Sequence, residues 1–147
     1  MRRVVLALVL AALSGSAAAA WVRVGGNHDI LGSYADPASI RKKDGLIEMR
    51  SLLDFRAHQT DQSVGAKRYL SQNETREYDC KAAGYRLLRL SLHAGHMGGG
   101  KVVPGSPAPG GWSPVVPGSL GEALWRVACG KKLRPDSGGP GTLRPHK

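Results

Sequence analysis

The 147-residue sequence lacks the features of a membrane-spanning protein and of an enzyme. Its N-terminal apolar run, from Val4 to Leu13, is too short to span a bilayer as a permanent helix. No pair of carboxylates and no nucleophile beside a base stands out, so we predict no catalytic residue and no cofactor. The chain has only two cysteines, Cys80 and Cys129, and neither lies near the N-terminus, where bacterial lipoproteins carry their lipid. We therefore expect a protein that is not an enzyme and has no membrane anchor.

Acidic residues are also scarce, with 11 Asp and Glu against 21 Lys and Arg and a formal net charge of +10. Such a charge favours anionic partners, and it equally suits a solvated surface that serves only solubility. Nucleic acid is not expected as a partner of an exported chain. Exposed basic residues that would hold an extracellular protein or an anionic glycan are Arg41, Lys42, Lys43, Lys67 and Arg68. The alternative is a soluble periplasmic protein with a structural or ligand-carrying role.

Residues 1–20 have the pattern of a secretory signal peptide. Arg2 and Arg3 precede the apolar run, and small residues continue to Ala20. Because Ala18 and Ala20 fit the small-x-small cleavage pattern, the mature chain is predicted to begin at Trp21. We expect export to the periplasm or beyond the cell, without a lipid anchor.

A short helix near the C-terminus carries the second cysteine. Ser119 and Glu122 form a capping box, which predicts the start of the helix, and Gly130 suits the position just past its end. Glu122 and Arg126 are spaced to form an ion pair on the solvated side of the helix. The apolar residues on the other side are Leu120, Ala123, Leu124, Val127 and Ala128.

Whether the two cysteines form a disulfide depends on the compartment that the chain enters. In an oxidising compartment they are most simply one disulfide, and the alternative is two free thiols. A bridge that closes a loop of about fifty residues would stabilise the fold by about 4 kcal/mol. Trp125, one turn before Cys129, is expected to pack against the bridge. Trp21 and Trp112 are expected in core or interface packing.

Strand patterns dominate the rest of the chain. They predict strands at 21–24, 30–34, 46–55, 67–71, 74–80, 85–94 and 101–103. Leu88, Leu90 and Leu92 would share one face, Asp36 and Pro37 would form a turn, and Gly84 would supply the positive φ of a hairpin turn. The predicted fold class is α+β, a single antiparallel sheet with a C-terminal helix packed on it. We expect one domain over residues 21–130 and a flexible basic tail over 131–147.

Three segments resemble functional motifs without the context that the chemistry needs. Residues 95–101 spell most of a phosphate-binding loop, but Val102 replaces the Ser or Thr that holds magnesium, so a glycine-rich hairpin turn is predicted. The residues around Ser137 copy the nucleophile segment of trypsin-like proteases. The chain has no two-barrel scaffold that would bring a histidine and a carboxylate to this serine, so we reject protease activity. His93 and His96 could share a metal or a haem. A site needs three or four ligands, so we expect both to be exposed turn residues.

Several segments together resemble the surface-adhesin protein E family. They are residues 21–24, 34–40, 49–55, 77–80, 97–103 and 112–129. The resemblance implies a single antiparallel sheet whose C-terminal helix is tied on by a disulfide between Cys80 and Cys129. It also implies a non-enzymatic protein, since the namesake of the family is a surface adhesin that recruits host extracellular-matrix and plasma proteins such as vitronectin and laminin. Pairing of sheet edges between two chains would be a route to a homodimer.

Overall fold

A computed structural model describes residues 20–62, 65–104 and 110–135 of the chain. Within these residues, seven strands form one antiparallel sheet, and one α-helix follows them. The sheet order is β1-β2-β3-β4-β5-β6, and β7 pairs with β5. The strands are β1 (Val22–Gly25), β2 (Ile30–Lys43), β3 (Leu46–Asp61), β4 (Lys67–Asp79), β5 (Gly84–His93), β6 (Val102–Val103) and β7 (Ser113–Pro114). The predicted fold class, an antiparallel sheet with a C-terminal helix, is confirmed.

Helix α1 (Leu120–Ala128) covers one face of the sheet and forms the core with it. The sheet residues of this core are Val24, Ala35, Met49 and Tyr78, and the helix residues are Ala123, Leu124, Trp125 and Ala128. Side chains alternate between the two faces of a strand, so Met49 faces the helix while its neighbour Arg50 lies on the opposite face. We call that opposite face of β3, β4 and β5 the open face.

The start of the helix differs in part from the predicted capping box. Ser119 Oγ accepts a hydrogen bond from the Glu122 N–H at 3.1 Å, as expected. In a capping box the Glu122 side chain would accept a hydrogen bond from the Ser119 N–H. Here Glu122 Oε2 accepts from the Gly118 N–H instead, at 2.6 Å. The predicted ion pair between Glu122 and Arg126 is present at 2.9 Å, but Glu122 is only 5% exposed. The prediction of a solvated side is wrong for Glu122, because Gly118 and Arg134 also close over its carboxylate.

The disulfide joins Cys80, in the turn after β4, to Cys129 at the end of the helix, with the two Cα atoms 5.7 Å apart. Trp125 packs beside it, and its indole Nε1–H donates to the carbonyl oxygen of Asp79 at 3.0 Å. Gly130 has a φ of 65° and ends the helix as predicted. The bridge and the indole therefore fix the helix to the end of β4.

The strands are longer than their sequence patterns indicated. Asp36 and Pro37 lie inside β2 and do not form a turn. The pairing of β2 with β3 shifts register between Asp36 and Arg41, and such an irregularity accommodates a proline within a strand. In the turn before β5, the positive φ belongs to Ala83, at 51°, and Gly84 is the first residue of the strand. The predicted break between 71 and 74 is absent, and β7 was not predicted.

Three predictions concern segments that the structure does not describe or describes only in part. Residues 1–19 of the predicted signal peptide and the segment around Ser137 lie outside the described residues. Of the predicted tail, residues 131–135 are described. Lys131 donates its backbone N–H to the Arg126 carbonyl at 2.7 Å, and its Nζ lies 5.2 Å from the centre of the Trp125 ring. The chain after the helix therefore begins along the helix surface.

Candidate binding groove on the open sheet face

A groove of about 550 Å³ lies on the open face of β3, β4 and β5. Its floor and sides are built by cross-strand neighbours, because Arg50 on β3 and Arg89 on β5 both pair with Thr75 on β4. In the adjoining row, Asn73 on β4 pairs with Ser91 on β5. Trp21, just before β1, also lines the groove.

A β-bulge in β5 shapes the groove. Thr75 pairs with Arg89 and Arg76 with Leu87, which leaves Leu88 as an extra residue between them. Leu88 lines the groove beside Arg89. The prediction that Leu88 shares a face with Leu90 and Leu92 is wrong, because the extra residue interrupts the strict alternation of the strand. The bulge thus adds Leu88 to the apolar part of the lining, which also includes Trp21 and Leu90.

The two groove arginines stand above carboxylates that hold them in place. Arg50 Nη2 contacts Asp36 Oδ2 at 2.5 Å, with the arginine side chain 57% exposed and the aspartate side chain fully buried. Arg89 Nη2 contacts Glu48 Oε1 at 3.0 Å, with side-chain exposures of 74% and 25%. A guanidinium has five N–H donors, so each arginine retains donors beyond the one in its ion pair. Both guanidinium groups are therefore more exposed to solvent than the carboxylates that pair with them.

Two polar residues of the groove, Asn73 and Ser91, contact His93 in the next row of the same face. Its Nε2 lies 3.2 Å from Asn73 Nδ2 and 3.0 Å from Ser91 Oγ. His93 is the last residue of β5 and is 8% exposed, so the prediction of an exposed turn residue is wrong for it. Its position follows from strand alternation, which places it on the same face as Ser91.

The glycine-rich hairpin after β5 folds over one end of the open face. His96 Nδ1 lies 3.0 Å from Asp54 Oδ1, which also accepts the Met97 N–H at 3.1 Å. Ser71 Oγ donates to the Gly95 carbonyl at 2.6 Å and accepts the Gly98 N–H at 2.8 Å. Asp54 lies 42 residues before His96, so the absence of carboxylates near the histidines in sequence does not reveal this contact.

The histidines and the glycine hairpin do not form the functional sites that their sequence resembles. His93 and His96 have separate partners, and the described residues contain no group of three or more His, Cys, Asp or Glu side chains able to hold a metal ion. Residues 95–101 form a hairpin with a short 3-10 turn at His96–Gly98, and strand β6 follows instead of a helix. A glycine-rich turn was the prediction for this segment, and it is confirmed.

The five basic residues proposed from sequence do not form one surface. Arg41, Lys42 and Lys43 are exposed at the end of β2, whereas Lys67 and Arg68 are exposed at the start of β4. Lys43 pairs with Leu46 at one end of β3, and Lys67 pairs with Asp61 at the other end. A 16-residue strand separates the two groups, and at about 3.3 Å per residue this is roughly 50 Å. Neither group lies at the groove.

The three tryptophans have different environments. Trp125 is in the core as predicted. Trp21 is only half-buried and lines the groove, so it lies outside the core, and its predicted interface packing stays a prediction. Trp112 is 47% exposed, and the guanidinium carbon of Arg86 lies 5.0 Å from its ring centre.

A second polar cluster is buried on the helix side of the sheet. Arg76 Nε pairs with Glu74 Oε2, and their side chains are 15% and 4% exposed. Burial opposes the charge on Arg76, but the carboxylate of Glu74 outweighs it and raises the pKa of the guanidinium. Burial raises the pKa of the Tyr78 phenol, which stays neutral. Because these groups are occupied with one another inside the domain, the groove on the open face is the better candidate site.

Comparison with known proteins agrees with the observed fold. The profile of the surface-adhesin protein E family matches residues 21–130. One structure of Haemophilus influenzae protein E is 12% identical, with a TM-score of 0.59, and the match covers 75% of this chain and 83% of that one. Protein E from non-typeable Haemophilus influenzae is 10% identical, with a TM-score of 0.57 and 85% of each chain covered. At these identities the likeness to solved structures shows the fold alone.

Two further findings concern this chain. No sequence among the curated proteins matches it significantly. The described residues contain no helix that is long and apolar enough to cross a membrane.

Proposed function

Because the chain belongs to the surface-adhesin protein E family, we propose that it is an exported, non-enzymatic binding protein that recruits host extracellular-matrix or plasma proteins. In this proposal, residues 1–20 are a signal peptide, 21–130 the binding domain and 131–147 a basic tail. The observation that carries it is the groove on the open face, which the helix leaves uncovered. Family membership supplies the class of function, and the groove supplies a surface for it.

The construction of the groove supports a role in binding. Arg50 and Arg89 are each held by an ion pair, and Asn73 and Ser91 are held by His93. Side chains that are already ordered lose little conformational freedom when a ligand arrives, so more of the contact energy becomes affinity. The donors come from four neighbouring positions of β3, β4 and β5, which the sheet keeps at fixed spacing.

Location in the cell is the first test. Intact producing cells are treated with an added protease, and the same treatment is repeated after the outer membrane is opened. Cleavage on intact cells is the expected result for an adhesin. Protection until the envelope is opened would contradict surface recruitment of host proteins.

Binding is the second test. Purified residues 21–147 are passed over immobilised matrix and plasma proteins, and the binding is measured as a function of concentration and salt. We expect saturable binding to at least one of them, weakened by salt because the exposed charge of the protein is mostly positive. Signals that rise linearly with concentration on every surface would contradict the proposal.

One observation favours the alternative of a periplasmic protein with a structural or ligand-carrying role. Cys80 and Cys129 are joined to each other, so neither thiol is available to carry a lipid. An exported chain without lipid would reach the surface only by another route. The protease experiment separates the two functions, since the periplasmic protein would be protected on intact cells.

We also propose pairing of sheet edges between two chains as the route by which a homodimer would form. Beyond β1, which pairs with β2 only as far as Ala35, the rest of β2 has no neighbour on that side among the described residues. This edge carries Pro37, Lys42 and Lys43, which oppose pairing with another strand. Light scattering on the eluting protein measures its mass, and a dimer requires twice the mass of residues 21–147.

A further inference from the structure

We infer that the groove on the open face binds an acidic glycan, a saccharide chain that carries carboxylate or sulfate groups. Arg89 and Arg50 would contact the acidic groups, and Trp21 would pack against a sugar ring. The inference deepens the proposed function by naming the ligand chemistry of the groove. It rests on that function only in requiring an exposed open face, so it is testable on the purified protein.

The first argument is the distribution of charge across the groove. The guanidinium groups of Arg50 and Arg89 are the more exposed members of their ion pairs, since Asp36 is fully buried and the Glu48 side chain is 25% exposed. An approaching anion therefore meets the arginines before it meets the carboxylates. The carboxylates fix the guanidinium positions, and the remaining N–H donors match the oxygens of a carboxylate or sulfate.

The second argument is the spacing of the two arginines. Arg50 on β3 and Arg89 on β5 flank Thr75 on β4, so their backbones are two strand spacings apart, or about 10 Å. Arg50 pairs with Asp36 on β2 and Arg89 pairs with Glu48 on β3, so the two guanidinium groups are held by different carboxylates. A chain that repeats its acidic group can place one at each arginine. The two arginines thus suit a ligand that carries several acidic groups.

The third argument distinguishes a glycan from an acidic peptide. The groove lies on the face of the sheet, where the backbone groups of β4 are already paired with β3 and β5. A peptide therefore cannot bind there by adding a strand, the usual way in which sheets take up extended peptides. The groove is lined instead by polar side chains, among them Ser91 and Asn73. These groups match a ligand rich in hydroxyls.

The aromatic and apolar lining completes the argument. The indole of Trp21 gives a large flat surface on which the C–H face of a sugar can lie, and Leu88 adds apolar area opposite the polar groups. Half-burial of Trp21 leaves part of the ring accessible to a ligand. Aromatic surface together with hydroxyl, amide and guanidinium donors is the combination that an acidic sugar requires.

The test titrates purified residues 21–147 with two acidic probes, heparin-derived oligosaccharides and hyaluronan oligosaccharides, and follows binding by calorimetry and tryptophan fluorescence. Dextran oligosaccharides serve as the neutral probe and poly-glutamate as the acidic peptide. We expect saturable binding of an acidic oligosaccharide and no binding of dextran. Sulfate and carboxylate as the source of charge are distinguished by which of the two acidic probes binds more tightly.

Two groove variants and one control variant locate the binding. Arg89→Gln removes the exposed guanidinium that would contact an acidic group of the glycan. We expect this change to weaken the binding of acidic glycan about tenfold or more. Trp21→Ala tests the stacking surface without changing the charge. Lys81→Gln is the control, because Lys81 is exposed in the turn after β4 and its loss changes the net charge by the same amount.

Three results would overturn the inference. Equal weakening by Arg89→Gln and Lys81→Gln would show that binding follows net charge and not the groove. Binding of poly-glutamate as tight as that of the glycans would identify a protein ligand instead. Failure of both acidic glycans to bind would remove the glycan inference alone, since recruitment of host proteins is measured separately on immobilised proteins.

Discussion

Loss of the disulfide between Cys80 and Cys129 is expected to lower the stability of the domain sharply. The bridge closes a segment of 49 residues that includes β5, β6 and β7 and ends at the helix. Without it, the helix is held by its apolar contacts with the sheet and by the Trp125 hydrogen bond to the end of β4. The unfolded chain gains the freedom that the closed loop removes.

The chain-entropy relation gives the size of the effect. For a closed loop of 49 residues, the lost entropy of the unfolded state corresponds to about 4 kcal/mol at 25 °C. In a domain of roughly 110 residues, 1 kcal/mol shifts the melting temperature by about 4 °C. The double variant Cys80→Ser/Cys129→Ser is therefore expected to melt about 15 °C below the parent protein. A domain with a stability of about 5–15 kcal/mol would lose a large part of it.

Circular dichroism measures both melting curves, with and without a reducing agent. Reduction is expected to lower the melting temperature of the parent towards that of the double variant, which itself is insensitive to the agent. The double variant is the matched control, since it separates loss of the bridge from other effects of the reagent. A difference of less than about 3 °C between parent and double variant would refute the reasoning.

Three further changes test other parts of the structure. The Gly118 N–H and then Arg126 lower the pKa of Glu122 below its ordinary value of 4.5, so its stabilisation is present above about pH 4.5 and is lost on acidification. The stability difference between the parent and Glu122→Gln, from melting at pH 7 and pH 3, should therefore shrink at the lower pH. Arg76→Met leaves a buried carboxylate unpaired and should cost about 3–5 kcal/mol in urea unfolding, most of which the additional change Glu74→Leu should recover. Trp125→Phe loses the indole N–H donor and should cost about 1–2 kcal/mol by the same assay.

The architecture could be predicted from sequence because its main signals are local. Alternating apolar residues indicated the centres of β3 and β5, and Ser119 with Gly130 marked both ends of the helix. The ends of the strands could not be predicted, since they depend on pairing with neighbours. Pro37 shows the limit, because only the register shift against β3 allows a proline inside β2.

The groove could not be predicted, because its residues become neighbours only through strand register. Arg50, Thr75 and Arg89 are far apart in sequence, and each alone has the pattern of an ordinary solvated strand residue. The bulge at Leu88 adds to the difficulty, since one extra residue changes the face of the side chains around it. The basic residues selected for their density in sequence lie at opposite ends of β3 for the same reason.

The core and the groove proposed for binding lie on opposite faces of one sheet. The helix, the disulfide and the buried pair of Glu74 and Arg76 all secure the face on which Met49 lies. Strand alternation gives the other face to neighbouring residues, so the polarity of the groove does not reduce the apolar contacts of the core. Arg89 can therefore be changed with little effect on the core, whereas the buried Arg76 cannot. This division explains how a domain with one modest core keeps the open face uncovered.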